Sequence, residues 1–386
     1  MPDLSADRQP VLLAPTDATG WFGGTPLLAL DPVRSVEGVS LAEAALSLEE
    51  AFESGEFRLA AALIRYDGTS DVRVYGSAYQ GRGDTWVPFG HGALPLPEPL
   101  RPSAGGGSLL LDARGDLDGR EWCERVRSVQ DSIREGDVYV LNLTHRVTGT
   151  PCLAAVDAFA RLHARSAGPM SALWLGGGTE VASVSPERFV SVTALEEGRV
   201  AEVWPIKGTR PRHADAAQDA AAVDELLACE KERAEHVMVV DMERNDLGRV
   251  SVPGSVRVEP LLEVFQTPYC HQMVSRVRSL LRTDVGIHDL LAATFPCGSV
   301  TGAPKIAAMR IIESLEVSLR GAYTGALAVA IPGRLDSAVL IRTLEYASDG
   351  SAAWGTGGGI TIDSDPQEEW AEARLKVSPV LGEAGS

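Results

Sequence analysis

The sequence predicts an α+β fold built on large antiparallel sheets, and three observations point to it. Strand-like and helix-like segments are mixed along the chain without the strict strand–helix–strand rhythm of a parallel sheet. The 386 residues are 45% hydrophobic and 23% charged, with a mean hydropathy of +0.00, which suits a globular chain with a large core or two closely joined lobes. One composition break interrupts the periodicity, at Pro95 to Gly107, where prolines give way to Gly105-Gly106-Gly107. It divides the chain into an N-terminal lobe, 1–115, and a larger region, 116–386.

Past the break the elements follow in order. Glu121 to Glu135 carries Val126, Val129 and Ile133 at helical spacing and stops at Gly136, the residue type that closes helices. Val138 to Val147 reads as a strand. Asp215 to Asp241 is alanine-rich and reads as one helix, and Pro304 to Glu316 as a helix with proline in its first turn. Ala322 to Ile331, Ser337 to Tyr346 and Ala352 to Ile362 read as strands, and Pro366 to Val377 as the last helix. No internal repeat is visible.

Charge and cysteine usage exclude several functions. The formal charge, 35 − 53 = −18, argues against a nucleic-acid or anionic-membrane partner, either of which wants a basic face. Cys123, Cys152, Cys229, Cys270 and Cys297 are scattered, without C-x-x-C spacing, and read as reduced thiols of a cytoplasmic protein. Met1 to Pro10 has no basic, apolar signal pattern, and no apolar run approaches the ~20 residues of a membrane span.

The chemistry starts at Pro205-Ile206-Lys207-Gly208-Thr209-Arg210. Proline fixes φ before the lysine, glycine frees the backbone after it, and a hydroxyl and a permanent cation follow. Glu232, Glu235 and His236 share one helix, while Glu369, Glu372 and Lys376 share the last at i, i+3 and i+4 spacing, which puts each set on one face. The bland reading of both sets is surface ion pairing. Thr301-Gly302-Ala303 precedes the Pro304 helix, so its amides and the helix dipole make an anion site. Gly357-Gly358-Gly359 lets a second backbone come close, and Arg342, on a predicted strand, adds positive charge; its bland reading is an ion pair inside the sheet. Glu187, in Ser185-Pro186-Glu187-Arg188, is a proton-donor candidate, since a carboxyl buried beside an organic ring has its pKa raised. Its bland reading is a structural partner of Arg188 or Arg210.

Taken in order with Arg244-Asn245-Asp246-Leu247-Gly248-Arg249, Ser299-Val300-Thr301-Gly302-Ala303-Pro304-Lys305 and Ile341-Arg342-Thr343, these motifs resemble the chorismate-using enzymes. That group includes the first components of anthranilate synthase and aminodeoxychorismate synthase, isochorismate synthase and salicylate synthase. The resemblance runs from about Glu121 to Val380, and residues 1 to 120 match only loosely. It implies two β-sheets packed as a sandwich with helices outside, in the manner of anthranilate synthase component I. It also implies magnesium held by Glu235 and Glu372 and in turn holding the ring carboxylate of the substrate, chorismate. Tyr323, Arg342, Gly358, Gly359 and Lys376 match substrate contacts of the family, and Glu187 matches the acid that protonates the leaving C4 hydroxyl.

Three positions speak to which reaction. Water-adding relatives carry a lysine base where this chain has Val140, so water addition is disfavoured; relatives that add nitrogen commonly carry glutamine there, so Val140 departs from both. Anthranilate-forming relatives usually carry alanine where Lys207 stands, whereas aminodeoxychorismate synthases carry lysine. Gln272 stands where anthranilate synthases tend to have histidine, and His271 is one residue off, on the opposite strand face. The resemblance therefore leans toward aminodeoxychorismate synthase component I: Lys207 adds at C2, ammonia then attacks C4, and 4-amino-4-deoxychorismate results. For this the amine must be unprotonated, which desolvation and the Arg210 cation are expected to favour. Thr209 completes the set of expected substrate contacts. The chain shows no glutaminase signature, so ammonia is expected from a separate glutamine amidotransferase subunit. Anthranilate synthase component I and a non-catalytic chorismate-binding regulatory subunit are the alternatives. The sequence leaves open whether the product feeds folate or a specialised pathway, whether tryptophan binds, and what Cys297 changes where relatives have glycine.

Overall fold

The computed structural model describes residues 4–382 apart from 18, 25, 55–57, 83–84, 89–93, 96–106 and 267–269. The composition break at Pro95 to Gly107 falls almost wholly outside the described residues.

Two large antiparallel sheets face each other across an apolar layer. The twelve-stranded sheet runs from Gly302–Ala303 through Val140–Pro151, Ala352–Ile360, Thr343–Ala347, Thr179–Ser185 and Met170–Trp174 to Val11–Leu13 and further N-terminal strands. The nine-stranded sheet has Gly198–Val203, Ser191–Leu195, Arg334–Val339, Ala326–Ile331 and Leu59–Ile64 at its centre. Between them Leu13, Leu27, Trp174 and Val181 of the first pack with Leu59, Leu63, Leu327 and Val329 of the second. Helices cover the outer faces: Leu41–Phe52 and Ile287–Thr294 lie over the nine-stranded sheet, and Ala155–Ser166 over the other. This is the expected sandwich. Strands from both sides of the composition break pair in both sheets, as where Leu59–Ile64 runs in register against Ala326–Ile331. Among the described residues no helix is long and apolar enough to cross a membrane.

A third group of helices prepares the site. Gly119–Glu135 starts at an Asp118 cap reciprocated by Glu121 and ends at Gly136 with φ 86°. With Lys305–Leu315 and Pro366–Leu375 it buries Leu141, Leu143 and Ile360, whose strands place Val140, Asn142 and Gly359 on the opposite face by the two-residue alternation. A small three-stranded sheet, Glu263–Gln266, Cys270–Val274 and Ile206–Pro211, stands apart from the two large ones.

Several boundaries differ from the sequence reading. Asp215 to Asp241 is two helices, Ala216–Ala228 and Glu230–Gly248, broken at Cys229, whose ψ of 101° leaves the helical region. Pro304 is the cap of Lys305–Leu315 rather than part of its first turn. Ser337 to Tyr346 is two strands in different sheets, Arg334–Val339 and Thr343–Ala347, so the chain crosses from one sheet to the other at Leu340–Arg342. Arg342 therefore stands on a crossover, with φ 50°, and not on a strand.

Candidate active site

The small sheet aims Lys207. Ile206 stands opposite Val274 and Thr209 opposite Gln272, so Lys207 and Gly208 form a bulge, the device that re-aims side chains beside active sites. Gly208 takes φ 82°. The Lys207 ammonium comes 3.4 Å from Glu235 Oε1, with its side chain 17% exposed. Burial alone pushes the amine down, but Glu235, Glu187 and Glu372 together hold it above the ordinary lysine value. The expected unprotonated lysine is thus corrected, since these carboxylates favour its charged form. Arg210 is also corrected: it is bound to Glu225 and Glu232, at 2.9 and 3.0 Å. Thr209 is exposed and Gln272 buried.

Glycines let the two acidic helices close over one strand. A Cβ on Gly359 would stand 2.2 Å from Glu235 Oε1 and 3.3 Å from Lys207 Nζ, and one on Gly358 would stand 3.3 Å from Glu369 Oε2 and 3.9 Å from Glu372 Oε1. Lys376 donates to the Gly357 carbonyl at 2.8 Å and pairs with Glu372 at 2.6 Å. Burial and the neighbouring carboxylates Glu372 and Glu235 raise the Glu369 carboxyl above its usual value. Glu372 is instead held below its usual value: burial alone would raise it, but the Lys376, Lys207 and Lys231 charges outweigh that. Such crowding of carboxylates suits a hard divalent cation, which takes one or two carboxylates and fills its other positions with water or substrate oxygen. Among the described residues no three acidic, histidine or cysteine side chains form a ready-made metal cage.

Glu187 follows the Thr179–Ser185 strand, its N–H bound to Ser185 Oγ at 3.2 Å and its carbonyl to the Val339 N–H at 3.1 Å. The residue is 4% exposed, and its Oε1 has no partner. Burial pushes it up to about 7, against the pull of the Ser299 hydroxyl and the Lys207 charge and with the push of Glu243. Arg188 is paired elsewhere, with Asp336 at 2.8 Å. A carboxyl that gains and loses a proton near neutrality, within electrostatic reach of Lys207, is equipped for acid–base work.

The remaining expected contacts sit around this centre. Gly302–Ala303 pair with Val140–Leu141, whose strand pairs in turn with Gly357–Gly359. The Lys305–Leu315 helix has no side-chain cap, while the Thr301 hydroxyl donates to the Cys297 and Gly298 carbonyls in its own loop. Tyr323 packs its ring where a Gly355 Cβ would be, at 2.1 Å. Arg342 forms no ion pair among the described residues, so its bland reading does not hold there, and burial pushes it down against the pull of Cys270 of the small sheet. His271 is turned away, its Nε2 2.9 Å from Asp219. None of the five cysteines is in a disulfide. Sequence reading missed Glu243 and Ser299, which flank Glu187; nothing in the local pattern of either marks it as buried.

The sequence profile of the chorismate-binding enzymes matches residues 7–382. The chain belongs to the chorismate-binding enzyme family. Within it, the chain is 40% identical over 281 residues to aminodeoxychorismate synthase component 1 of Klebsiella aerogenes, covering 72% of this chain and 61% of that protein. It is 42% identical over 263 residues to anthranilate synthase component 1 of Streptomyces coelicolor, covering 68% and 50%. The matched stretches thus span only about half to three fifths of these relatives. Among solved structures, anthranilate synthase component I of Streptococcus pneumoniae superposes with a TM-score of 0.78 at 25% identity, covering 92% of each chain. The menaquinone-specific isochorismate synthase of Escherichia coli gives 0.79 at 17% identity over 98% and 89%, a likeness of fold alone. In this chorismate-binding enzyme the fold brings Lys207, Glu187, Glu235, Glu372, Gly358, Gly359 and Lys376 into one region.

Proposed function

We propose that this chain converts chorismate and ammonia to 4-amino-4-deoxychorismate, with Lys207 as the covalent catalyst. The observation that supports this most is the bulge that turns Lys207 into the site, beside Glu235 and within electrostatic reach of Glu187. The Lys207 amine attacks C2 while the C4 hydroxyl leaves as water with the proton of Glu187. Ammonia then forms the C4–N bond as the C2–N bond to Lys207 breaks, and the amine proton returns to the Glu187 carboxylate. Chorismate and ammonia are consumed and water released, with the enzyme restored. Glu235 and Glu372 would hold magnesium, which supplies positive charge for the substrate's carboxylate and occupies the carboxylates that otherwise keep Lys207 protonated. Arg342 and Lys376 are further cations for that carboxylate. Ammonia would come from a separate glutamine amidotransferase, working with this chain in the cytoplasm.

A second reading, anthranilate formation, is favoured by the similar identity to anthranilate synthase component 1 of Streptomyces coelicolor. The two differ in whether the product keeps its enolpyruvyl group. The test is incubation of the purified chain with chorismate, magnesium and ammonium, the products identified by mass. The expected product is 4-amino-4-deoxychorismate from the wild type, and little of it from Lys207→Ala, whose residual chemistry shifts to 2-amino products. If Lys207→Ala makes mainly the 4-amino product at the wild-type rate, Lys207 is a bystander.

A further inference from the structure

Behind Glu187 lies a second buried carboxyl with no place in the scheme above. Glu243, on the Glu230–Gly248 helix, is 1% exposed. Its Oε1 accepts from the Gly298 N–H at 3.0 Å and from the Cys297 thiol at 3.5 Å, while its Oε2 is buried without a partner. Gly298 permits the approach: a Cβ there would stand 2.7 Å from Glu243 Oε1. The nearest cation is already engaged, since Lys305 is bonded to Asp246 and to the Thr294 carbonyl. From Cys297 the contacts continue, Sγ lying 3.3 Å from Ser299 Oγ, and the Ser299 hydroxyl pulls the Glu187 carboxyl down against its burial. Glu243, Cys297, Ser299 and Glu187 form one buried polar line.

A carboxyl left half-satisfied in an interior is a cost that a methionine or leucine at the same helical position would not carry. We propose that Glu243 is a positioning residue for the proton transfer at Glu187, set behind it along the buried Cys297 and Ser299 contacts. The inference rests on the acid role given to Glu187 above.

The charges around the pair are few. Glu187 is faced by Lys207 from the small sheet, Glu243 from the helix and Cys297 from the loop. Glu243 is faced by Asp246 of its own helix, Lys305 of the next and Cys297. Burial and both carboxyls keep Cys297 a thiol. Ionisation of Glu243 makes loss of the Glu187 proton harder, and its removal makes that loss easier.

The test is the pH dependence of kcat/KM for chorismate with ammonia, in Glu243→Gln and Glu243→Met. In both, the alkaline limb should move down by about one pH unit, so that the loss of activity is about tenfold greater at pH 8.5 than at pH 6. KM should move less than kcat, and thermal unfolding above pH 7 should occur at a higher temperature, because the charge of a half-satisfied buried carboxyl has gone. A limb that stays in place or moves up overturns the inference, and so does a lowered unfolding temperature with the limb unmoved, which would make Glu243 merely structural. The Glu187→Gln variant separates the two readings. If it abolishes the limb while the Glu243 variants leave theirs at the wild-type position, only this inference falls. If it keeps the limb, the acid role of Glu187 falls too.

Discussion

Replacing Gly359 by alanine tests whether the site is assembled over the glycine strand. The new Cβ would stand 2.2 Å from Glu235 Oε1 and 3.3 Å from Lys207 Nζ. Non-bonded heavy atoms settle at about 3.5 Å, so the Glu235 carboxylate must withdraw by roughly 1 Å. It can, because it is the end of a flexible side chain and Gly359 is not among the positive-φ residues, so the fold should survive with a change within about 1 kcal/mol. A displacement of that size in a reacting constellation costs about 10²-fold. The two neighbouring glycines are internal controls. At Gly358 the added atom meets Glu369 Oε2 at 3.3 Å, a contact relieved by a few tenths of an ångström, and the loss should stay under about tenfold. At Gly357 it would stand 2.1 Å from the Leu143 carbonyl oxygen and 2.8 Å from Thr144 Cα, backbone of the paired strand, so the sheet must open at a cost of about 3 kcal/mol. Initial rates of chorismate consumption, with thermal unfolding of each variant, give both readouts. Gly359→Ala within threefold of the wild-type kcat/KM, or destabilised as much as Gly357→Ala, would refute the reasoning.

Other expectations follow from the same geometry. Glu187→Gln should keep chorismate binding and lose about 10²–10⁴-fold in turnover, measured by equilibrium binding beside steady-state rates; an unchanged rate moves the acid elsewhere. Glu372→Ala should raise the magnesium needed for half-maximal rate, read by metal titration, since one of two anionic ligands is gone; normal turnover at low magnesium would contradict the metal assignment. Ammonium should support the reaction alone at high pH, and glutamine only with an amidotransferase added; glutamine-driven turnover by the isolated chain would be fatal to that assignment. Stability should also carry the two buried carboxyls. Glu187 and Glu243 each sit at about 7 against an ordinary 4.5, so the folded chain binds more protons than the unfolded one. Their contribution to stability is present below about pH 4.5 and is lost as pH rises to about 7. Glu243→Met should flatten that fall in a pH series of melting temperatures.

What could be read from the sequence and what could not divides along a physical line. Helix ends written in local chemistry were legible, as at Gly136, and so was Lys207, because proline before it and glycine after it constrain the backbone within six residues. The crossing at Leu340–Arg342 was not, since the apolar run from Ala338 to Ile341 reads as part of one strand and only Arg342, at φ 50°, records that the chain changes sheets. The break at Cys229 lies in a run of good helix formers and has no local signal either.

Charge was the least legible quantity, because an ionisable group is defined by what folding brings to it. Arg210 stands three residues from Lys207 and was expected to depress it. The folded chain gives Arg210 to Glu225 and Glu232 and gives Lys207 three carboxylates instead, which reverses the sign. Glu243 stands between Met242 and Arg244 on a helix and reads as a solvated carboxylate, yet its environment is set by Cys297 and Gly298, more than fifty residues away. The same long-range pairing sorts the cations of a chain of formal charge −18. Arg188, Arg210 and Arg320 are bound to carboxylates, while Arg342 forms no ion pair among the described residues, so under the proposed function it is a cation left for the substrate's carboxylate.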